Sequence, residues 1–205
     1  KNILALLIAV ICIITSGCAA ENRVISLIEK ENYAKAQEVY YSTISGDHEK
    51  ELDLEYSIDA YVSDMLDKYN NGKISYDEAY ESIARIEASG LYGYCLDAYM
   101  SLQMYDQSKQ AYEIGLAKMD AGDYESAMIA FSSVNAASSC YDSACEKAEE
   151  AKTEFLNAAI THAEDIYNNW DYYHGYAYAM QYLVETESEM YGLSPFMDDA
   201  AFQLI

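Results

Sequence analysis

Gly122-Asp123-Tyr124-Glu125-Ser126-Ala127, followed four residues later by Phe131, is the stretch on which the fold turns. The same order of residue types recurs at Asn32-Tyr33-Ala34-Lys35-Ala36, at Ser75-Tyr76-Asp77-Glu78-Ala79 and at Asp171-Tyr172-Tyr173-His174-Gly175. Each begins with a polar residue, continues with tyrosine and places a small residue three positions after it. A polar side chain at a helix start accepts a hydrogen bond from a first-turn N–H that lacks a partner within the helix. A small residue one turn later lets a neighbouring helix come close. Tyr33, Tyr76, Tyr124 and Tyr172 stand 43, 48 and 48 residues apart, a period that fits stacked helical hairpins. The expected fold is all-α, an α-solenoid of about four antiparallel hairpins in 205 residues.

Composition agrees with this expectation. Hydrophobic residues make up 52% of the chain and there is one proline, so core material is ample and little interrupts helices. Twelve basic residues against 35 acidic ones leave a net charge of −23, which opposes phosphate backbones and anionic lipid surfaces. No nucleic-acid partner is expected. The plain explanation of the acidity is a solvated surface.

Lys1-Asn2 precedes an uninterrupted apolar run of 12 residues, Ile3 to Ile14, and then Thr15-Ser16-Gly17-Cys18. A bilayer span needs about 20 apolar residues, so this run is too short to cross one but suits the core of a secretion signal. The small residues before Cys18 resemble a bacterial lipobox, with Thr15 where leucine is commonest. The resemblance implies a lipoprotein signal peptide over residues 1–17, cleavage before Cys18, and lipid on the Cys18 sulfur and its new amino group. Each buried methylene contributes about 0.8 kcal/mol, so two or three acyl chains hold a protein on a membrane. Residues 18–21 would then be a short tether on the extracytoplasmic side. Lys1 stands where an initiator methionine would be and the chain stops at the apolar Ile205, so both ends read as clipped.

Along the mature chain, the spacing predicts a short hairpin over residues 22–45 and a long amphipathic helix over 49–69. A helix opened by a capping box from Ser75 to Glu78 follows. A long helix over 92–121, weak in apolar residues between Met104 and Ser108, leads to the arm that starts at Asp123. Tyr141 to Asn169 is another long helix, and Asp171 opens the last clear arm. Residues 22–191 thus form the repeat domain. Residues 192–205 read as the start of a further helix or downstream domain, with Ser194-Pro195 as its opening.

Around the central turn the sequence resembles a tetratricopeptide repeat. Ile114-Gly115 stands for the family's leucine-glycine pair, and Gly122, Tyr124, Ala127 and Phe131 fall in its register. Ala111 replaces the tryptophan, Lys118 the first tyrosine and Ser139 the proline. The match covers about 25 residues, and the period of 48 exceeds the family's ~34. The resemblance implies that Lys109, Tyr112, Leu116 and Met119 form the face on which relatives bind extended peptides. Of the Lys/Asn/Arg clamp that some relatives use for a terminal carboxylate, only Lys109 is present.

Chemistry-bearing motifs are few. Asp67 to Glu78 resembles a calcium loop of the EF-hand kind, with Asp67, Asn71, Ser75 and Glu78 at ligand positions and Gly72 at the turn. Tyr69 sits where an oxygen ligand belongs, and a helix stop at Gly72 followed by a capping box explains the same residues without metal. Beyond Cys12 and Cys18, the cysteines are Cys95, Cys140 and Cys145. An odd number forms no complete disulfide framework, and Cys140 and Cys145 can pair only if Cys140 lies in the preceding loop. His48, His162 and His174 show no zinc-ligand spacing, and no nucleophile elbow or phosphate-binding glycine loop is present. No cofactor is expected.

Most of the 22 tyrosines are expected to serve packing, and a tyrosine-lined surface for a protein or a glycan stays open because the side chain offers stiff contact area and one hydroxyl. The function expected is that of a membrane-anchored extracytoplasmic lipoprotein, a non-enzymatic interaction or scaffold module for a protein or peptide partner. Two alternatives stay open: a spacer ahead of a larger cell-envelope enzyme, and a lipid-anchored solute- or glycan-binding protein.

Overall fold

The computed structural model describes residues 20–93, 95–169 and 172–193. Among these residues the chain is all-helical, without strands. The first helix, α1, covers residues 20–29; α2 (Tyr33–Thr43), α3 (His48–Asn70), α4 (Tyr76–Ala88), α5 (Leu96–Asp120), α6 (Tyr124–Ser132), α7 (Tyr141–Asn169) and α8 (Tyr172–Leu193) follow. The signal-like stretch 1–17, the lipobox Cys18, the Asp171 start and residues 194–205 lie outside the described residues.

Three helix-to-helix corners share one backbone solution. After α5, Gly122 turns left-handed (φ 74°), its N–H donates to the Met119 carbonyl at 2.9 Å, and the Asp123 N–H reaches back to Lys118 O at 2.9 Å. Gly72 (φ 69°) repeats this after α3, with its N–H on Tyr69 O and the Lys73 N–H on Lys68 O. Glu31 does so after α1 at φ 57°, in a conformation that usually goes to glycine. These bonds satisfy the last helical carbonyls and reverse the chain within a few residues.

Caps then start the next helices, though not uniformly. Ser75 Oγ accepts the Glu78 N–H at 3.2 Å while Glu78 Oε2 accepts the Ser75 N–H at 2.7 Å, the expected capping box. Asp123 Oδ1 accepts the Ser126 N–H at 3.3 Å, and its other oxygen takes Lys118 Nζ at 2.8 Å. Asn32 departs from the expectation: its side chain makes no cap bond, and that corner gains instead an Arg85 Nε to Glu31 Oε1 bond of 3.1 Å. The small residues one turn into each helix are where the spacing puts them. Ala36, Ala79 and Ala127 are all fully buried, and Gly175 is buried in α8.

The chain divides into two compact units, Lys1–Gln103 and Met104–Ile205, with the boundary inside α5 where its apolar face is weak. The core of the first unit includes Val24, Ile28, Ala36, Ile44, Ile58, Ala79, Ile83 and Ile86. In the second, Ala127, Met128, Phe131, Val134, Ala144 and Ala151 form one cluster, with α6 and α8 both packed on α7. Buried Ser108 fastens the loop after α6 to α5: its hydroxyl donates to Met104 O at 2.8 Å and accepts the Asn135 N–H at 3.1 Å.

Of the leucine-glycine pair in the repeat resemblance, only the glycine serves packing. A methyl group on Gly115 would lie 2.4 Å from Phe131 Cε1, so the buried ring occupies the space that any larger residue needs. Ile114 points outward and is 54% exposed.

Gly115→Ala is expected to destabilise the protein by about 1–3 kcal/mol, although alanine is the better helix former. Phe131→Leu should recover part of that loss in the double variant, measured by denaturant unfolding. A neutral or stabilising Gly115→Ala would refute the close contact. The Lys118 ammonium and then the Ser126 side chain hold the Asp123 carboxyl below its ordinary value of 3.8. A lowered folded value means stability present above about pH 4 and lost as pH falls through it. The melting-temperature gap between the natural protein and Asp123→Ala should therefore be level from pH 7 to about 5 and close on further acidification.

Candidate functional site

The stripe that the repeat resemblance assigns to a peptide lies partly against the core of the second unit. Tyr112, Leu116 and Met119 are half-buried and pack against the cluster built on α6 and α7, with the Tyr112 and Phe131 rings 5.7 Å apart. An apolar stripe at helical spacing covers the nearest apolar surface first, and these three side chains are partly covered in that way. Lys109, a turn away, is half-buried, and burial lowers its ammonium pKa.

The calcium-like loop resolves into helix ends. Glu78 Oε2 is engaged by both the N–H and the hydroxyl of Ser75, at 2.7 and 2.9 Å. Asn71 Nδ2 donates to the Asp67 carbonyl at 2.8 Å, closing the last turn of α3. Tyr69, at the third loop position, is a core residue whose ring meets Tyr76 edge-on at 5.8 Å. Among the described residues no group of three or more His, Cys, Asp or Glu side chains is arranged to hold a metal ion.

Cys140 does lie in the turn before α7, as pairing with Cys145 requires, yet Cys95, Cys140 and Cys145 are all free thiols. Burial raises the Cys95 pKa, which keeps that thiol protonated and a weak nucleophile near neutrality. Its surroundings form a mixed depression of about 480 Å³ whose walls include Asp59, Ser63, Tyr92, Cys95 and Asp97. There the Tyr92 hydroxyl donates to Asp59 Oδ1 at 2.5 Å, and this bond to a carboxylate pushes the phenol up to about 12. Glu87 ties the start of α5 to α4: one oxygen accepts the Cys95 N–H at 2.8 Å, the other the Tyr99 hydroxyl at 3.3 Å. Burial first, then the Glu87 charge, raises the Tyr99 pKa strongly. Tyr69, Tyr76, Tyr80 and Tyr99 continue ring to ring at 5.8, 6.2 and 5.1 Å, so much of the tyrosine excess in this unit serves packing between α3, α4 and α5. Nothing in the sequence marks Glu87 as the acceptor that joins them, since its partners lie eight and 12 residues away.

The second unit carries an open apolar groove between α7 and α8. Ile160, Ala163, Tyr167, Tyr176, Met180 and Leu183 line about 510 Å³ of it, with Glu164 and Asn168 as its polar residues. Tyr176 is 62% exposed, and Met180, Tyr167 and Ile160 keep 43%, 42% and 38% of their surface open to solvent. Such a concentration of exposed apolar and aromatic side chains marks a contact surface more often than scattered single ones do. The sequence places Ile160 and Tyr167 on one helical face two turns apart, but which face of α7 stays uncovered depends on where α6 and α8 pack.

No family model matches the chain, and no curated protein or solved structure matches it. Its functional reading therefore rests on its own residues. Among the described residues no helix is long and apolar enough to cross a membrane.

Calcium at millimolar concentration is expected to leave the melting temperature unchanged, because the Glu78 carboxylate is committed to the Ser75 cap. A rise of several degrees would show that the cap opens and the loop takes the ion.

Proposed function

We propose that this chain is a membrane-anchored extracytoplasmic lipoprotein that works as a protein-interaction or scaffold module. Its hairpins stack as an α-solenoid of the tetratricopeptide-repeat kind. The stacking is supported by the three left-handed corners, each followed one turn later by a fully buried alanine at Ala36, Ala79 or Ala127. Membrane attachment rests on Cys18 behind the apolar run Ile3 to Ile14 and the small residues Ser16-Gly17. The observation that carries the interaction role is the groove between α7 and α8, where Tyr176, Met180, Ile160 and Tyr167 remain exposed side by side. A side chain exposed in this way loses apolar hydration only when a partner covers it, which is the thermodynamic basis of association.

Expression in a bacterial host with a fatty-acid analogue tests the anchor. The natural sequence should carry the label and sediment with membranes, while Cys18→Ser should lose both label and processing. Label retained on Cys18→Ser would refute lipidation at this residue.

A further inference from the structure

The groove between α7 and α8 lies in the part of the chain with the most one-sided charge. From Thr153 to Ile205 there is no lysine or arginine, whereas Asp and Glu occur nine times. Glu164 sits in the groove wall itself and is exposed. The apolar lining runs from Ile160 to Tyr167 on one helix and from Tyr176 to Leu183 on the other. At 1.5 Å per residue each wall is about 10 Å long, which is two turns of a helix. A length of two turns accommodates apolar side chains at positions i, i+3 or i+4, and i+7 of an incoming helix.

We propose that this groove receives a basic amphipathic helix of a partner protein, its apolar stripe against Tyr176, Met180, Ile160 and Tyr167 and a Lys/Arg residue against Glu164 in the wall, in a stretch of sequence that has acidic but no basic residues. The inference rests on the interaction-module reading and names the partner's chemistry. Charge selects this occupant over two others. A second copy of the chain would bring its own net charge of −23 to the same face. The following segment of this chain, residues 194–205, contains Asp198 and Asp199 and no basic residue. Like charges at a contact of this kind oppose docking, whereas opposite charges also speed encounter. Met180 and the tyrosines supply adaptable and stiff contact area respectively, the mixture that suits a groove for a helix.

The test uses the full chain in detergent and a fluorescent peptide of about 15 residues with leucine at i, i+3, i+4 and i+7 and lysine at most other positions. Fluorescence anisotropy should show it binding at least about tenfold tighter than a scrambled peptide of the same composition or a peptide with glutamate in place of lysine. Tyr176→Ser and Met180→Ser, both at exposed positions, should each weaken binding about fivefold or more with unchanged helicity. Glu164→Lys should weaken it as well, and Ile114→Ser, an exposed change on α5, should leave it unchanged. Equal binding of the scrambled peptide, or full affinity in both groove variants, overturns the inference. So does a gain in affinity on deleting 194–205 or self-association lost in Tyr176→Ser, since each assigns the groove to another occupant. A photocrosslinker at position 176 in cells separates this inference from the reading beneath it. Crosslinks to a partner segment without excess Lys/Arg overturn the basic helix alone; no crosslink from this face overturns both.

Discussion

Phe131 lies with its ring on the Cα of Gly115, and the second unit is assembled around that contact. The ring can reach α5 only because residue 115 has no side chain, and it can be presented at that height only because the chain reverses at once through Gly122 and Asp123. Tyr112 then closes over the ring, and Leu116 and Met119 extend the same surface toward α6 and α7. A close-packed interior transmits any change of volume at such a point to its neighbours. The residues that the repeat resemblance assigns to recognition are thereby drawn into support of the core.

The first unit solves the same problem with tyrosine and carboxylate. Its ring-to-ring series from Tyr69 to Tyr99 spans three helices, and Glu87 gives the start of α5 an acceptor that the local sequence lacks. Hydrogen bonds to a charged acceptor are stronger than neutral ones, so one carboxylate can fix both a helix start and a phenol. Tyr92 and Asp59 form a second such pair. These arrangements leave the acidic surface solvated while the tyrosine rings supply the apolar area that a chain with four phenylalanines would otherwise lack.

The packing also leaves one apolar groove of the second unit uncovered. In α7 the small residues Ala144, Ala151, Ala159 and Ala163 go inward, and Ile160 and Tyr167 are left at the surface beside Tyr176 and Met180 of α8. The extracytoplasmic anchor inferred from Cys18 would restrict the partners available to those in the same compartment.

Helix content, the corner residues and the buried alanines were legible in the sequence because they depend on interactions within about four residues. A glycine that can turn left-handed, a serine with a glutamate three positions on, and an apolar period of three to four are all local facts. Ser75 and Glu78 behave as their spacing says, and Tyr141 to Asn169 is one helix with the bounds its pattern gives. What the tertiary structure alone decided is which side of each helix meets another. Tyr112, Leu116 and Met119 against Ile160, Tyr167 and Tyr176 is such a choice: both sets are apolar stripes on amphipathic helices, and their sequences look alike. The position of the neighbouring helix half-buries the first and leaves the second more exposed, because hydrophobic burial has no direction of its own and goes to whichever stripe the chain's corners bring together.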